Sequence, residues 1–182
     1  LQSFVSVSSL VTRFDYADFK AAAAKSEMKK IEKDIVKIIG TALIFSSFVL
    51  WGLNHYSITR NIIYGVMAAA GIILGCFYEM IIQYSVRRRA LNYYDNHKER
   101  FMAHTAQFFE DKITFKTERY SAAVPYEKIY KVYEDGRVFI IYTSINEMKF
   151  ITKRALSNND CEKIRKVFQS KLQQKYQQEG AR

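Results

Sequence analysis

The sequence predicts a mixed α+β membrane protein, a two-helix transmembrane hairpin joined to a small curved antiparallel β-sheet domain that is capped by a C-terminal helix. Three observations carry that expectation. Ile38–Thr59 and Asn61–Tyr78 contain no formally charged residue, although 25% of the 182 residues are charged. After Arg89 the pattern changes to short segments separated by Glu110-Asp111, Asp135-Gly136 and Asn146-Glu147, which reads as strands and turns. Beyond Asn158, apolar residues return at helical spacing at Cys161, Ile164, Phe168, Leu172 and Tyr176, opposite Lys163, Lys166, Lys171 and Lys175.

The two apolar stretches define the hairpin. About 20 predominantly apolar residues at 1.5 Å each cross a hydrocarbon core of roughly 30 Å, so the spans are placed at about 38–58 and 62–86 within a 35–86 hairpin. Both stretches are apolar all round rather than on one stripe, which disfavours a soluble amphipathic helix. Trp51, Tyr56 and Tyr64 fall at one end and Tyr78 and Tyr84 towards the other, as interfacial anchors do. Lys25, Lys29, Lys30, Lys33 and Lys37 precede the pair and Arg87, Arg88 and Arg89 follow it, with only His55 and Arg60 between. The positive-inside rule then puts both termini in the cytoplasm and a tip near Ser57 outside. The run starts too far into the chain to be a cleavable signal, and a second span follows.

Small residues recur in the spans. Gly71-x-x-x-Gly75 and Gly65-x-x-x-Ala69 allow close helix approach, with packing inside the hairpin favoured over a homo-oligomer contact. Glu79 is the only acid in either span. With a tip at Ile58, Lys37 lies at the same depth, which predicts a Lys37–Glu79 charge pair whose side chains reach the interface; the competing reading is a proton or cation relay.

Before the hairpin, residues 1–34 form an N-terminal strand, through Phe4, Val5, Val7, Leu10 and Val11, and a cytoplasmic helix. Asp15 is placed as the helix cap, and no breaker separates this helix from the first span, so one continuous rod is expected. After the hairpin, residues 100–178 form a cytoplasmic domain. Strands are expected at 105–109, 113–117, 120–124, 129–133, 138–143 and 148–152, with Asp135-Gly136 the clearest hairpin turn. Its expected core is Phe109, Phe115, Val132, Phe139, Ile141, Phe150, Ile164, Phe168 and Leu172.

Particular segments resemble a known family. Ile113-Thr-Phe-Lys-Thr117, Val124-Pro-Tyr-Glu-Lys-Ile129, Val138-Phe-Ile-Ile-Tyr142 and Lys153-Arg154-Ala155-Leu156 follow two spans and precede a C-terminal helix. This arrangement resembles the YcxB-like family of bacterial membrane proteins with a pleckstrin-homology-like domain, and Phe14-Asp-Tyr-Ala-Asp-Phe19 resembles the segment preceding that family's spans. The resemblance implies seven strands plus a helix and a bacterial inner-membrane location. It implies no activity.

Composition narrows the chemistry. Seven glycines and one proline exclude collagen-like and proline-rich classes, and two cysteines cannot form a disulfide scaffold. Cys76 and Cys161 are expected as free thiols. His55, His97 and His104 lack a second ligand at metal spacing, and no Walker loop, nucleophile elbow, CxxC pair or His-Glu-x-x-His occurs. The expectation is a non-enzyme without cofactor or metal. From Arg87 onwards, 20 basic and 12 acidic residues leave +8, which a leaflet of acidic lipids explains without nucleic acid. Arg87, Arg88, Arg89, Lys112, Lys116, Arg119, Lys153 and Arg154 are the candidate lipid- or partner-binding residues. The expected role is an adaptor or regulator whose cytoplasmic domain binds a protein partner or anionic headgroups. The alternatives are an immunity protein against a toxin or bacteriocin and an accessory subunit of a transporter or channel.

Overall fold

The computed structural model describes residues 3–28, 30–53, 57–101, 103–118 and 120–179. The elements are β1 (Val5–Ser9), α1 (Arg13–Glu27), α2 (Lys30–Leu53), α3 (Ile58–Asn96), β2 (His104–Phe108), β3 (Lys112–Lys116), β4 (Ser121–Pro125), β5 (Lys131–Glu134), β6 (Val138–Tyr142), β7 (Met148–Thr152), α4 (Asn158–Leu172) and β8 (Tyr176–Gln178). The fold is mixed α+β, with two long apolar helices and small sheets. It divides into two compact units, Leu1–Ala23 with Arg87–Arg182, and Ala24–Val86.

In the first unit, two four-stranded sheets run in the orders β1-β2-β3-β4 and β7-β6-β5-β8. All ladders are antiparallel except β5 with β8. One core joins both sheets to α4: Val5, Val7, Ala106, Phe108, Ile113, Val132, Phe139, Ile141, Ile164 and Phe168 are all buried there. All five residues of β6 are buried, because its two faces have separate covers. Phe139 and Ile141 belong to the α4 core, while Val138, Ile140 and Tyr142 join a second cluster with Phe19, Ala22 and Ala23 of α1. A continuous apolar run such as Val138-Phe-Ile-Ile-Tyr142 is what two-sided burial requires.

The six expected strands after the hairpin are present within a residue or two, and Asp135 organises the β5–β6 turn by accepting the Arg137 N–H at 2.7 Å. Several details differ. Phe108 rather than Phe109 is in the core, since a one-residue shift along a strand exchanges its faces. Phe150 lies on the other face of its sheet, stacked on Phe19 at 4.4 Å. The last helix ends at Leu172, where Gln173 takes φ 47°, and Tyr176 belongs to β8 rather than to the helix.

The start of the first helix also differs from the expectation. Thr12, not Asp15, precedes the first turn of α1. The Asp15 carboxylate accepts the Thr12 N–H at 2.8 Å, and the Thr12 hydroxyl accepts the Asp15 N–H at 3.3 Å, a reciprocal capping box. At α4 the Ser157 hydroxyl accepts the Asp160 N–H at 3.1 Å and donates to the Asp160 carboxylate at 2.7 Å. The continuous rod is not present: α1 ends at Glu27 and α2 begins at Lys30. No glycine or proline marks the break. Ala22 and Ala23 are held by the sheet cluster, and α2 has its own packing partner in α3.

In the second unit, α2 and α3 pack through glycine. A Cβ built on Gly40 would lie 2.8 Å from the Gly71 carbonyl oxygen and 2.8 Å from the Gly75 nitrogen, and one on Gly71 would lie 2.6 Å from the Gly40 carbonyl oxygen. The two backbones therefore touch. Gly52, Gly65 and Gly75 would each have a Cβ in open space.

Candidate functional site

Glu134 is the most buried charged residue described, 1% exposed. Its position follows from strand alternation. Val132 and Glu134 share a face of β5, opposite Ile141 and Phe139 of β6, so the carboxylate must point at the core that those residues fill. Three donors meet it there. Lys153 Nζ lies 2.6 Å from Oε1, Arg165 donates from Nη2 at 2.7 Å and Nε at 3.2 Å, and the Tyr176 hydroxyl donates to Oε2. Lys153 follows β7, Arg165 lies on α4 and Tyr176 opens β8, so four elements are tied at one carboxylate. Burial pushes the Glu134 carboxyl up, but hydrogen bonds from Arg165, Lys153 and Tyr176 outweigh it and hold the group below its ordinary value. Burial and the Glu134 hydrogen bond push the Tyr176 phenol up. Arg165 also bonds Glu162 at 2.5 Å, so the charges nearly balance and the cluster works as a clamp.

A second ionic set holds α1. Asp15 receives Arg154 at 2.7 and 2.6 Å, and Arg154 also reaches the Leu10 carbonyl at 3.2 Å. Burial raises the Asp15 carboxyl, and the Arg154 and Thr12 hydrogen bonds bring it below its usual range. Asp18 takes Arg87 at 2.9 Å and Arg137 at 2.8 Å on the same oxygen. Arg13 pairs with Asp95 at 3.3 Å, and the Tyr94 hydroxyl donates to the Val11 carbonyl at 2.8 Å. Asp15→Ala removes both the cap and the ion pair, and should lower the urea midpoint of this unit by the equivalent of about 1–3 kcal/mol. The Asp15 contribution is present above its unfolded value and fades as pH falls through the depressed folded one, so the difference from wild type should narrow in acid.

The basic candidates are thus distributed rather than gathered. Lys153 and Arg154 are spent on Glu134 and Asp15, and Arg87 on Asp18. Arg88 and Arg89 are exposed. Lys112 and Lys116 stand at opposite ends of β3, the former 5.8 Å from the Phe109 ring centroid. Arg119 lies outside the described residues, as do Lys29, His55 and Tyr56. The charge pair of the hairpin is Lys33–Glu79 at 3.3 Å, not Lys37–Glu79. A Lys33–Glu79 pair is centred on position 56 rather than 58, so the partner of residue 79 lies one helical turn earlier on α2 than expected.

One surface feature was not anticipated. A shallow groove of about 520 Å³ lies beside Ile129, Tyr130, Ile145, Asn146 and Lys175. Tyr130 is 53% and Ile145 75% exposed, and Lys175 closes one side by donating to the Ile129 carbonyl at 3.0 Å. An isoleucine at the tip of a polar turn, Ser144-Ile145-Asn146, was the available signal. Among the described residues no three of His, Cys, Asp and Glu come together as a metal set.

No curated protein and no solved structure matches the chain. Residues 108–168, which run from the end of β2 into α4 and include both Glu134 and its partners Lys153 and Arg165, match the model of the family described as YcxB-like protein.

Proposed function

We propose that this protein is a two-span protein of a bacterial inner membrane, with both termini cytoplasmic, that presents a non-enzymatic pleckstrin-homology-like module as an adaptor or regulator. The observation that carries the reading is the unburied apolar surface of α2 and α3. In their most apolar windows only 11% and 6% of residues are buried within the protein. Phe45, Phe48, Leu53, Ile62 and Val66 are each more than 60% exposed. A contiguous surface of that kind requires an apolar environment, and helices satisfy their own backbone polar groups inside one. At 1.5 Å per residue, α2 is about 36 Å long and α3 about 58 Å, so both exceed a hydrocarbon core of roughly 30 Å.

The module supports a binding role because its strongest polar groups are consumed internally. Glu134, Asp15 and Asp18 are all engaged by cations of the same unit. What remains outward is the Tyr130–Ile145 groove and the exposed Arg88 and Arg89, which suit a protein partner and acidic headgroups respectively. The match to the YcxB-like family covers residues 108–168 of the module and brings no activity with it.

Fractionation and thiol labelling test the proposal. The full chain should stay with membranes after alkaline carbonate extraction. With Cys76 and Cys161 replaced, a cysteine at Ser57 should react with an impermeant maleimide in whole cells, and one at the exposed Ser170 only after lysis. Release by carbonate would remove the membrane reading, whereas labelling of Ser170→Cys from outside would reverse the orientation alone.

A further inference from the structure

Gly75, whose backbone approaches Gly40, also lines a cleft of about 460 Å³. Lys33 and Lys37 line it from α2, one turn apart on one face, and Glu79 lines it from α3. Val36, Leu74 and Met80 supply apolar wall. The charge in the cleft does not balance. Glu79 is matched by Lys33 at 3.3 Å, while Lys37 is exposed and has no carboxylate within ion-pair distance among the described residues. A cleft with one surplus ammonium at its polar end and aliphatic side chains along its wall is complementary to a phosphodiester attached to an acyl chain.

We propose that this cleft is a binding site for one anionic phospholipid, whose phosphate is held by Lys37 with help from Lys33 and whose acyl chain lies along Val36, Leu74 and Met80. The inference rests on the membrane reading above and adds a defined lipid site within it. Glu79 then has a second role. Its pair with Lys33 withholds one ammonium from the phosphate, so it tunes the site towards monoanionic headgroups.

Native mass spectrometry of the full chain in a nonionic detergent, titrated with phosphatidylglycerol or phosphatidylcholine, reads this directly. Wild type should retain one phosphatidylglycerol in preference to phosphatidylcholine. Lys37→Gln should weaken that retention about fivefold, the equivalent of one lysine beside an acidic lipid. Glu79→Gln should strengthen it, since Lys33 is released. Equal retention of the two lipids, or an unchanged Lys37→Gln, would overturn the site. Displacement by soluble glycerol phosphate at similar concentration would also overturn it, because it would mean a small-anion site with no use for the acyl wall. Because these titrations need only the purified protein, they stand apart from carbonate extraction, whose failure would remove the membrane itself. If Glu79→Gln does not survive purification, Lys37→Gln with Lys166→Gln, an exposed lysine of α4, as a control still decides, as the latter should leave retention unchanged.

Discussion

Glu134→Gln should destabilise the strand-rich unit by about 3–5 kcal/mol, because it removes one partner of a buried ionic cluster and strands the others. Lys153 and Arg165 have side chains only 18% and 23% exposed. They would lose their shared acceptor, and a neutral amide cannot receive three donors as a carboxylate does. The loss reaches four elements, since Glu134 on β5 holds Lys153 after β7, Arg165 on α4 and Tyr176 on β8. The parallel β5–β8 ladder spans only three residues, so β8 depends on this clamp more than on its own hydrogen bonds. The measurement is the urea midpoint of the full chain, followed by the reactivity of the half-buried Cys161 thiol in a Cys76→Ser background. A change below about 1 kcal/mol would show that the cluster contributes little. The sign with pH is set by the depressed carboxyl. Its contribution is complete above the ordinary value of 4.5 and is lost as pH falls through the lower folded value, so wild type and Glu134→Gln should converge in acid. Replacing Glu134, Lys153 and Arg165 together by methionine should recover most of the stability, as apolar substitution of whole buried clusters does.

Gly71→Ala should be the most damaging small substitution in the hairpin. The new Cβ would sit 2.6 Å from the Gly40 carbonyl oxygen and 2.7 Å from Ile44 Cγ1. A carbonyl belongs to the partner's backbone and cannot rotate away, so α2 and α3 must separate, at about 1–3 kcal/mol. Gly40→Ala should behave alike, with backbone atoms of Gly71 and Gly75 at 2.8 Å. Gly75→Ala and Gly65→Ala meet nothing within 4 Å and should be neutral, or favourable by up to about 1 kcal/mol through helix propensity. Unfolding in mixed micelles with increasing dodecyl sulfate ranks the four. Equal losses at Gly65 and Gly71 would contradict a contact between α2 and α3 at Gly71 and point to a general dislike of substitution.

The same comparison shows how a sequence motif divides once packing is known. Gly71-x-x-x-Gly75 and Gly65-x-x-x-Ala69 look equivalent in sequence, yet only the first faces the partner helix, and within it only Gly71 needs to lack its own Cβ. The decisive residue is Gly40, which belongs to no spaced pair. Helix rotation about its axis decides this, and rotation depends on the partner.

Charge shows the same limit. Lys153 and Arg154 read as a free basic pair because a one-dimensional count cannot see acids 19 and 139 positions away in Glu134 and Asp15. Glu134 itself was within reach of alternation, since it shares a face with Val132 beside an unmistakable hairpin. Its three donors were not, because they arrive on separate elements.

Local chemistry alone determined a great deal here. The lengths of two uninterrupted apolar runs, the asymmetry of lysine and arginine around them, six strands and an Asp-Gly turn all depend on neighbours within about ten residues, and such interactions are written along the chain. Tertiary structure decided what depends on distant segments. It set which face of β2 is core, why β6 is buried on both sides, where α1 stops, how β8 joins a sheet in parallel, and which lysine meets Glu79. Each of these is a choice between alternatives of nearly equal local energy. The balance is tipped by burial and ion pairing between residues the sequence keeps far apart.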